Sequence, residues 1–166
     1  MKFLKLGLAS LVASSVLFAG NYNVDASHSN VGFSVKHMMI TNVTGKFNDV
    51  SGNFEYDEKT NTLKALSGDI IVASINTADE KRDTHLKAEE LFDAAKFPKI
   101  NFNATKIQEN AVYGDLTMKG ITKNIKLELE NGGTVTDPWG KQRAGFELVG
   151  KINRKDFGIT WNKVLE

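Results

Sequence analysis

Cysteine is absent from this 166-residue chain, and histidine occurs only three times. Without cysteine no disulfide can form, so a packed core must stabilise the fold. Neither sign of charge is in excess, since the formal net charge is only +1. Non-specific binding of nucleic acid depends on a marked basic excess, so the composition argues against that class of function. A glycine-rich phosphate-binding loop is also missing from the sequence.

The first 19 residues contain the longest apolar run of the sequence. Lys2 and Lys5 precede an apolar stretch from Leu6 to Phe18, and Ala19 follows it. This order is typical of a secretory signal peptide, and the stretch is too short for a membrane-spanning helix. We therefore expect residues 1–19 to be removed on export to a bacterial periplasm. The removal of two lysines changes the net charge from +1 to −1.

Apolar and polar residues alternate along most of the remaining chain, for example over 31–38, 112–119 and 125–130. Side chains of a strand point alternately to its two faces, so each segment predicts a strand with one face in the core. Turn-forming clusters such as 57–61 and 137–140 separate the segments. About eight such segments predict a single all-β domain, an antiparallel meander or a barrel that closes to remove exposed edges.

Residues 77–98 depart from this alternation and are rich in Ala, Glu, Lys and Leu. The segment predicts a helical insert over about residues 78–96, as two short helices. Thr77 and Glu80 fit a capping box at the start, and Pro98 ends the second helix. Whether the insert is a surface helix or a lid over one mouth of the barrel remains open. Its apolar face is predicted to contain Leu86, Leu91, Phe92 and Phe97.

The three histidines are the obvious candidates for a metal site or for catalysis. Three histidine side chains can hold a catalytic zinc ion, but His28, His37 and His85 show no short ligand spacing. An extended segment would place His28 and His37 roughly 30 Å apart. No nucleophile with a partnered base is recognisable either. We therefore predict no catalytic residues, no metal site and no cofactor.

Two arginine–aspartate motifs, Arg82-Asp83 and Arg154-x-Asp156, are predicted to form charge-assisted hydrogen bonds that tie turns to the barrel. The alternative is that Arg82 or Arg154 meets the head group of a ligand.

Short motifs follow one another in order between residues 22 and 162. No single motif is specific, but the ordered set is. The motifs are Tyr22-x-Val24-Asp25, His28-Ser29-x-Val31-x-Phe33-x-Val35-x-His37, Gly45-x-Phe47, Gly52-x-Phe54, Ser74-Ile75-Asn76-Thr77, Arg82-Asp83-x-His85-Leu86, Leu91-Phe92-Asp93, Phe97-Pro98-x-Ile100-x-Phe102, Gly114-x-Leu116-Thr117-x-x-Gly120 and Asn153-Arg154-x-Asp156-Phe157-Gly158-Ile159-x-Trp161.

This ordered set resembles the YceI family of periplasmic, lipocalin-like proteins. The resemblance implies that residues 20–166 form an extended, eight-stranded antiparallel barrel with a long apolar cavity. It also implies a polyisoprenoid, such as an isoprenoid quinone, or a long-chain amide as ligand, and no established catalytic activity. Family members continue with one more strand beyond the position of Glu166. We expect the chain without it to aggregate or to pair its open edge with a second copy as a homodimer.

The apolar residues of shared parity on neighbouring strands are the candidate lining of such a cavity. Met38-Met39-Ile40 adds flexible side chains that suit an elongated apolar ligand. The alternative is an ordinary packed core, because a barrel of this size either fills itself or holds one ligand. The predicted lining consists of Phe33, Val35, Phe47, Phe54, Ile100, Phe102, Leu116, Met118, Phe146 and Phe157.

The sequence thus predicts a periplasmic protein that carries or sequesters a long-chain isoprenoid lipid, quinone-like or polyprenyl, with a membrane only as the source of the lipid. Each methylene group removed from water contributes about 0.8 kcal/mol, so such a chain requires shielding in an aqueous compartment. Two alternatives stay open. One is a hydrolase-type enzyme that acts on a lipid-like substrate through His85 or a metal. The other is a stress-protective binding protein. Its ligand would be a fatty amide, or its own side chains would fill the cavity.

Overall fold

The structure, a computed structural model, describes residues 20–37 and 41–161, and it is mostly β. The predicted signal peptide and Met38-Met39-Ile40 lie outside the described residues. The described part contains one α-helix, α1 (Glu80–Leu86), and the 3-10 segments Val72–Ser74 and Arg154–Phe157. The strands are β1 (Gly20–Asn23), β2 (Val31–His37), β3 (Thr41–Phe47), β4 (Val50–Asp57), β5 (Thr62–Ile71), β6 (Ile75–Asn76), β7 (Lys99–Gln108), β8 (Ala111–Met118), β9 (Ile121–Thr136) and β10 (Gln142–Val149).

The strands form two antiparallel sheets, one of seven strands in the order β1-β4-β5-β7-β8-β9-β10 and one of three in the order β2-β3-β6. The larger sheet curls until its two ends meet. Phe54 of β4 packs edge-on against Phe146 of β10, with ring centroids 5.0 Å apart. Arg143 of β10 donates to the Asp25 carboxylate just after β1, at 3.0 Å. The result is a nearly closed, lipocalin-like antiparallel barrel, which confirms the predicted fold class.

Ten strands are described instead of the eight predicted. The additional two are β1, with four residues, and β6, with two. A segment of two to four residues is too short to show an alternation of polar and apolar residues, so the pattern could not reveal either strand. No helix in the described ranges is both long and apolar enough to cross a membrane.

The helical insert differs from its prediction in two respects. Only α1 is helical, and the segment after it consists of turns, with Asp93 at a φ of +51°. The predicted capping box of Thr77 and Glu80 is wrong. Asp79 caps the helix by accepting from the backbone N–H groups of Lys81 and Arg82, both at 3.0 Å. Ala78 has a φ of +61°, which turns the chain away from the helix axis and delays the helix start.

Two groups of buried apolar side chains fill the interior, and Phe102 packs against both. The insert covers the first group with Leu86, Leu91 and Phe92, so we call it the insert-end cluster. The second lies under the β4–β5 and β7–β8 hairpins and is called the hairpin-end cluster. The insert-end cluster consists of Phe47, Val50, Val72, Ile75, Leu91, Ile100, Leu116, Met118, Phe157 and Ile159. The hairpin-end cluster consists of Phe54, Tyr56, Leu63, Val112 and Leu129.

The β9–β10 hairpin reaches beyond its neighbours. Pairing of β9 with β8 ends at Glu128, but β9 continues to Thr136 along β10. Asn131 fixes this projecting part, because its side chain accepts from Leu63 N–H at 3.2 Å and donates to the Glu109 carbonyl at 3.3 Å. The distal half of the hairpin therefore lies across the hairpin end of the barrel.

Candidate functional site

Nine of the ten residues predicted to line a cavity lie in the interior clusters or pack against them. Val35 stands apart. It lies on β2, an edge strand of the smaller sheet, and is 45% exposed. Contact of these ten residues with a ligand stays a prediction. The insert-end cluster contains Phe47, Ile100, Leu116, Met118 and Phe157, the hairpin-end cluster contains Phe54, and Phe33, Phe102 and Phe146 pack against one or both.

The inner aromatic rings form two short chains of contacts, one at each end. At the hairpin end, Tyr22 stacks on Phe54 at 5.2 Å, and Phe54 meets Phe146 at 5.0 Å. At the insert end, Phe47 contacts Phe33 at 5.6 Å and Phe92 at 6.1 Å. Such offset and edge-on pairs are favourable beyond the area that they bury. The rings therefore provide a rigid apolar wall along the length of the interior.

Tyr22 adds a polar group at the rim of the hairpin-end ring chain. Its hydroxyl donates to the Glu58 carboxylate at 2.7 Å. Burial, and then this hydrogen bond, raise the pKa of Tyr22 to about 12. The phenol is thus neutral at physiological pH and donates a hydrogen bond instead of accepting one.

Two phenylalanine rings lie directly on glycines of the neighbouring strand. A Cβ atom at Gly45 would collide with the ring of Phe33, and one at Gly114 would collide with the ring of Phe102. The missing side chains let both rings lie flat on the barrel wall instead of projecting across the interior. Phe33, Phe102 and Phe146 pack against the interior clusters and are nevertheless only half-buried, so part of each side chain stays accessible to solvent.

A separate depression of about 580 Å³ lies on the outer surface of β9 and β10. Its lining includes Lys126, Glu128, Glu130 and Glu147. Glu130 and Glu147 face each other directly across the strand pair, which places two like charges side by side. Asn110, Leu129 and Val149 complete the lining, so the depression combines charged and apolar side chains.

Asp25, Ser27 and His28 bring together the three residue types of a hydrolase triad, but not its geometry. Ser27 Oγ donates to Asp25 Oδ1 at 2.5 Å, and His28 Nδ1 lies 2.9 Å from Ser27 Oγ and 3.0 Å from Asp25 Oδ2. In a triad the serine and the carboxylate contact different nitrogens of the imidazole. The hydrogen bond from Ser27, followed by that from His28, holds the pKa of Asp25 far below its usual range. These contacts fix the loop between β1 and β2.

The other histidines form no metal site in the part of the chain that the structure describes. His85 Nε2 lies 3.1 Å from Glu90 Oε1, and its ring meets Trp161 edge-on at 4.5 Å. The side chain of His37 lies outside the description. Within residues 20–37 and 41–161, no group of three or more potential ligands converges as a metal would require.

The arginine–aspartate motifs join neighbouring chain segments, but the hydrogen bonds described here do not run from arginine to aspartate as predicted. Arg82 and Asp83 do so through Thr77. Arg82 donates to the hydroxyl oxygen and the carbonyl of Thr77, at 2.7 and 2.9 Å, and Asp83 accepts from its hydroxyl and N–H, at 2.6 and 2.9 Å. Arg154 donates to the carbonyls of Ile159 and Trp161, at 3.1 and 2.9 Å.

Several residues that pack against the hairpin-end cluster were not predicted from the sequence. Tyr22 and Val24 pack on the hairpin-end cluster, and Leu66 and Leu148 join them. Leu66 and Leu148 belong to predicted strands, so their parity was a usable signal. Tyr22 and Val24 belong to or follow the four-residue β1, where no periodicity can be recognised.

Comparison with known proteins gives matches over nearly the whole chain. A family model described as a YceI-like domain matches residues 22–166. A UPF0312 protein of Yersinia enterocolitica is 37% identical over 163 residues, 95% of this chain and 84% of the relative. The crystal structure of a Campylobacter jejuni YCEI protein is 39% identical, covers 82% of both chains and has a TM-score of 0.66.

A more distant structure has the same fold. It is a polyisoprenoid binding domain from Saccharophagus degradans implicated in plant cell wall breakdown, 17% identical, with a TM-score of 0.54 over 70% of this chain and 69% of that domain. Sequence match, solved relatives and barrel architecture thus agree, and this chain belongs to the YceI family.

Proposed function

We propose that this protein binds the apolar chain of a long isoprenoid lipid, quinone-like or polyprenyl, inside its barrel, and carries or sequesters it in the periplasm. The observation that carries the proposal is the half-buried, inward-facing state of Phe33, Phe102 and Phe146. Large apolar side chains that stay partly accessible to solvent are suited to a ligand that completes their burial. The Saccharophagus degradans domain of the same fold, described as polyisoprenoid binding, supports this class of ligand.

The arrangement of the walls suits an elongated ligand more than a compact one. Ring chains line both ends, and Phe102 lies between them in contact with both clusters. Its ring is held against Gly114. A polyprenyl chain gains about 0.8 kcal/mol for each methylene group that it removes from water, so affinity grows with the enclosed length.

Binding is proposed in preference to catalysis. The loop of Asp25, Ser27 and His28 lacks the geometry of a hydrolase, and His85 is paired with Glu90 beside the ring of Trp161. A carrier needs only an apolar enclosure and a few polar contacts at its rim, for which Tyr22 and Glu58 are positioned.

The test is extraction of the purified protein, made in a bacterium, by organic solvent followed by mass spectrometry. We expect about one polyisoprenoid per chain. A fatty amide in its place would change the ligand class, and an extract without lipid would overturn the proposal. A mixture of ordinary phospholipids in no fixed ratio would also contradict it.

A further inference from the structure

The turn between β9 and β10 presents the most exposed large apolar side chain in the described part of the molecule. Trp139 is 81% exposed, and Val135 on the same hairpin is 63% exposed. Single exposed apolar residues are common, so exposure alone indicates little. The way in which the turn is built is more informative.

Asp137 organises this turn into a rigid loop. Its carboxylate accepts from the N–H groups of Trp139 and Lys141, at 3.0 and 2.9 Å, and from Arg143 Nε at 3.0 Å. The backbone adds bonds from Asp137 N–H to the Lys141 carbonyl at 2.8 Å and from Gly140 N–H to the Asp137 carbonyl at 2.9 Å. Gly140 completes the loop at a φ of +80°. These bonds hold the indole outward and oppose its collapse onto the protein.

The loop is anchored at the hairpin end of the barrel. Arg143 binds Asp25 beside β1 at 3.0 Å, and Ala144 packs against the hairpin-end cluster. The 16-residue β9 begins beside the insert and ends at this turn, roughly 50 Å away along the strand. Trp139 therefore lies at the end of the molecule opposite to the helical insert.

We propose that the tip formed by residues 137–141 docks this end of the barrel on the surface of a lipid bilayer. An indole is apolar with one polar N–H, and this combination favours the interface between lipid tails and water. Arg143 pairs with both Asp25 and Asp137, so these three groups together carry one negative charge, whereas the Lys141 ammonium makes no ion pair among the described residues. The four charges cancel, and the Lys141 ammonium is the one positive group of the tip that can meet a lipid phosphate.

The shape of the tip favours a bilayer over a protein partner. A stable protein interface buries about 800 Å² on each side, and a turn of five residues cannot supply that area. A narrow, convex tip can instead enter the headgroup layer, where no complementary surface is needed. The inference rests on the proposed function, because docking would bring the ring-lined end of the barrel to the source of its ligand.

The two tryptophans of the chain allow a matched experiment. In Trp161→Phe the emission reports on Trp139 alone, and in Trp139→Phe it reports on Trp161, which packs at the insert end. Vesicles of phosphatidylethanolamine, with and without phosphatidylglycerol, are added to each full-length variant. We expect a blue shift and quenching by brominated acyl chains for Trp139 and no change for Trp161. Lys141→Gln should weaken binding to the anionic vesicles roughly fivefold.

Three results would overturn the docking site. These are an unchanged Trp139 signal with both vesicle types, an equal change at both tryptophans, or a Trp139 shift that follows protein concentration without vesicles. The last would identify a second copy as the occupant. Trp139→Ser separates docking from ligand binding, since it should retain extracted lipid while uptake from donor vesicles slows. Equal uptake by wild type and Trp139→Ser would contradict docking and leave the proposed ligand untouched.

Discussion

The two ends of the barrel are built differently. At the insert end, ten buried apolar residues lie beneath α1 and the turns that follow it, and Thr77 joins Arg82 to Asp83. At the hairpin end, five residues are buried, and most of their neighbours are only partly covered. Fully buried side chains occur at both ends, such as Phe157 at the insert end and Tyr56 at the hairpin end, so the ends differ in the size of the buried group. We therefore expect the insert end to contribute more to stability and the hairpin end to contribute more to the proposed binding.

The largest effect is expected at Phe102, where the two ends meet. Phe102→Asp places an unpaired charge among apolar groups and should abolish lipid retention, with a loss of several kcal/mol of stability. The matched control is Asn103→Asp, which puts the same residue on the exposed face of β7. Mass spectrometry of extracts from both folded variants checks this. Wild-type lipid content in a folded Phe102→Asp protein would remove Phe102 from the site.

Phenylalanine truncation compares the two ends directly. Phe157 at the insert end is only 1% exposed, so Phe157→Ala should lower the free energy of unfolding by about 3–5 kcal/mol. Phe146 at the hairpin end is half-buried, and Phe146→Ala should cost less than half as much while it reduces lipid retention. Denaturant unfolding of lipid-free protein measures both. Equal losses in the free energy of unfolding at the two positions would contradict the expected difference between the two ends.

A glycine substitution tests the role of the Phe102 ring, which lies against Gly114. Gly114→Ala adds a Cβ that collides with the Phe102 ring and lies 2.7 Å from the Asn103 carbonyl oxygen. We expect a loss of about 1–3 kcal/mol and a ring displaced into the interior, with weaker lipid binding. Gly145→Ala is the control, since its Cβ would meet nothing within 4 Å. Thermal unfolding and lipid titration of both variants measure these effects. Equal stability and equal lipid binding of the two variants would contradict a role for the position of the Phe102 ring.

The smallest effect concerns the hairpin tip and pH. The N–H of Lys141, helped by Arg143, lowers the pKa of Asp137 below its ordinary value of 3.8. The carboxylate therefore stabilises the tip fully above its ordinary pKa, and this contribution is lost as the pH falls through the lowered value. Trp139 emission in Trp161→Phe should change only below about pH 4. Asp137→Asn should abolish that transition, and a transition that persists in this variant would assign it to another group.

Local patterns predicted the parts of the fold that depend on local rules. The alternation in β8 placed Leu116 and Met118 inside the barrel, because inward and outward positions follow directly from the pleat of a strand. The same rule did not predict the exposure of Val35. Its parity is inward, but β2 is an edge strand, and burial depends on what packs against a strand. The parity of a residue identifies the face of the strand on which it lies. Its burial depends on whether neighbouring elements cover that face.

The insert illustrates a second limit. Its helical composition was recognised, but its start, its cap and the number of helices were not. Thr77 is drawn into hydrogen bonds with Arg82 and Asp83, and Ala78 adopts a positive φ, so Asp79 takes the capping position. Thr77 and Asp79 both have side chains able to cap, and the choice between them depends on the hydrogen bonds that Thr77 makes with Arg82 and Asp83.

The sequence by itself determined the antiparallel all-β architecture, the helical insert and the family, because period-two alternation and ordered motifs are properties of the chain. Only the tertiary structure decided which rings meet, that Phe33 and Phe102 lie flat on glycines, and that Trp139 stands exposed on a braced turn. These features depend on how far the larger sheet curls and on what lies across the barrel from each residue. That information resides in contacts between positions distant in sequence, such as Phe54 with Phe146 and Asp25 with Arg143.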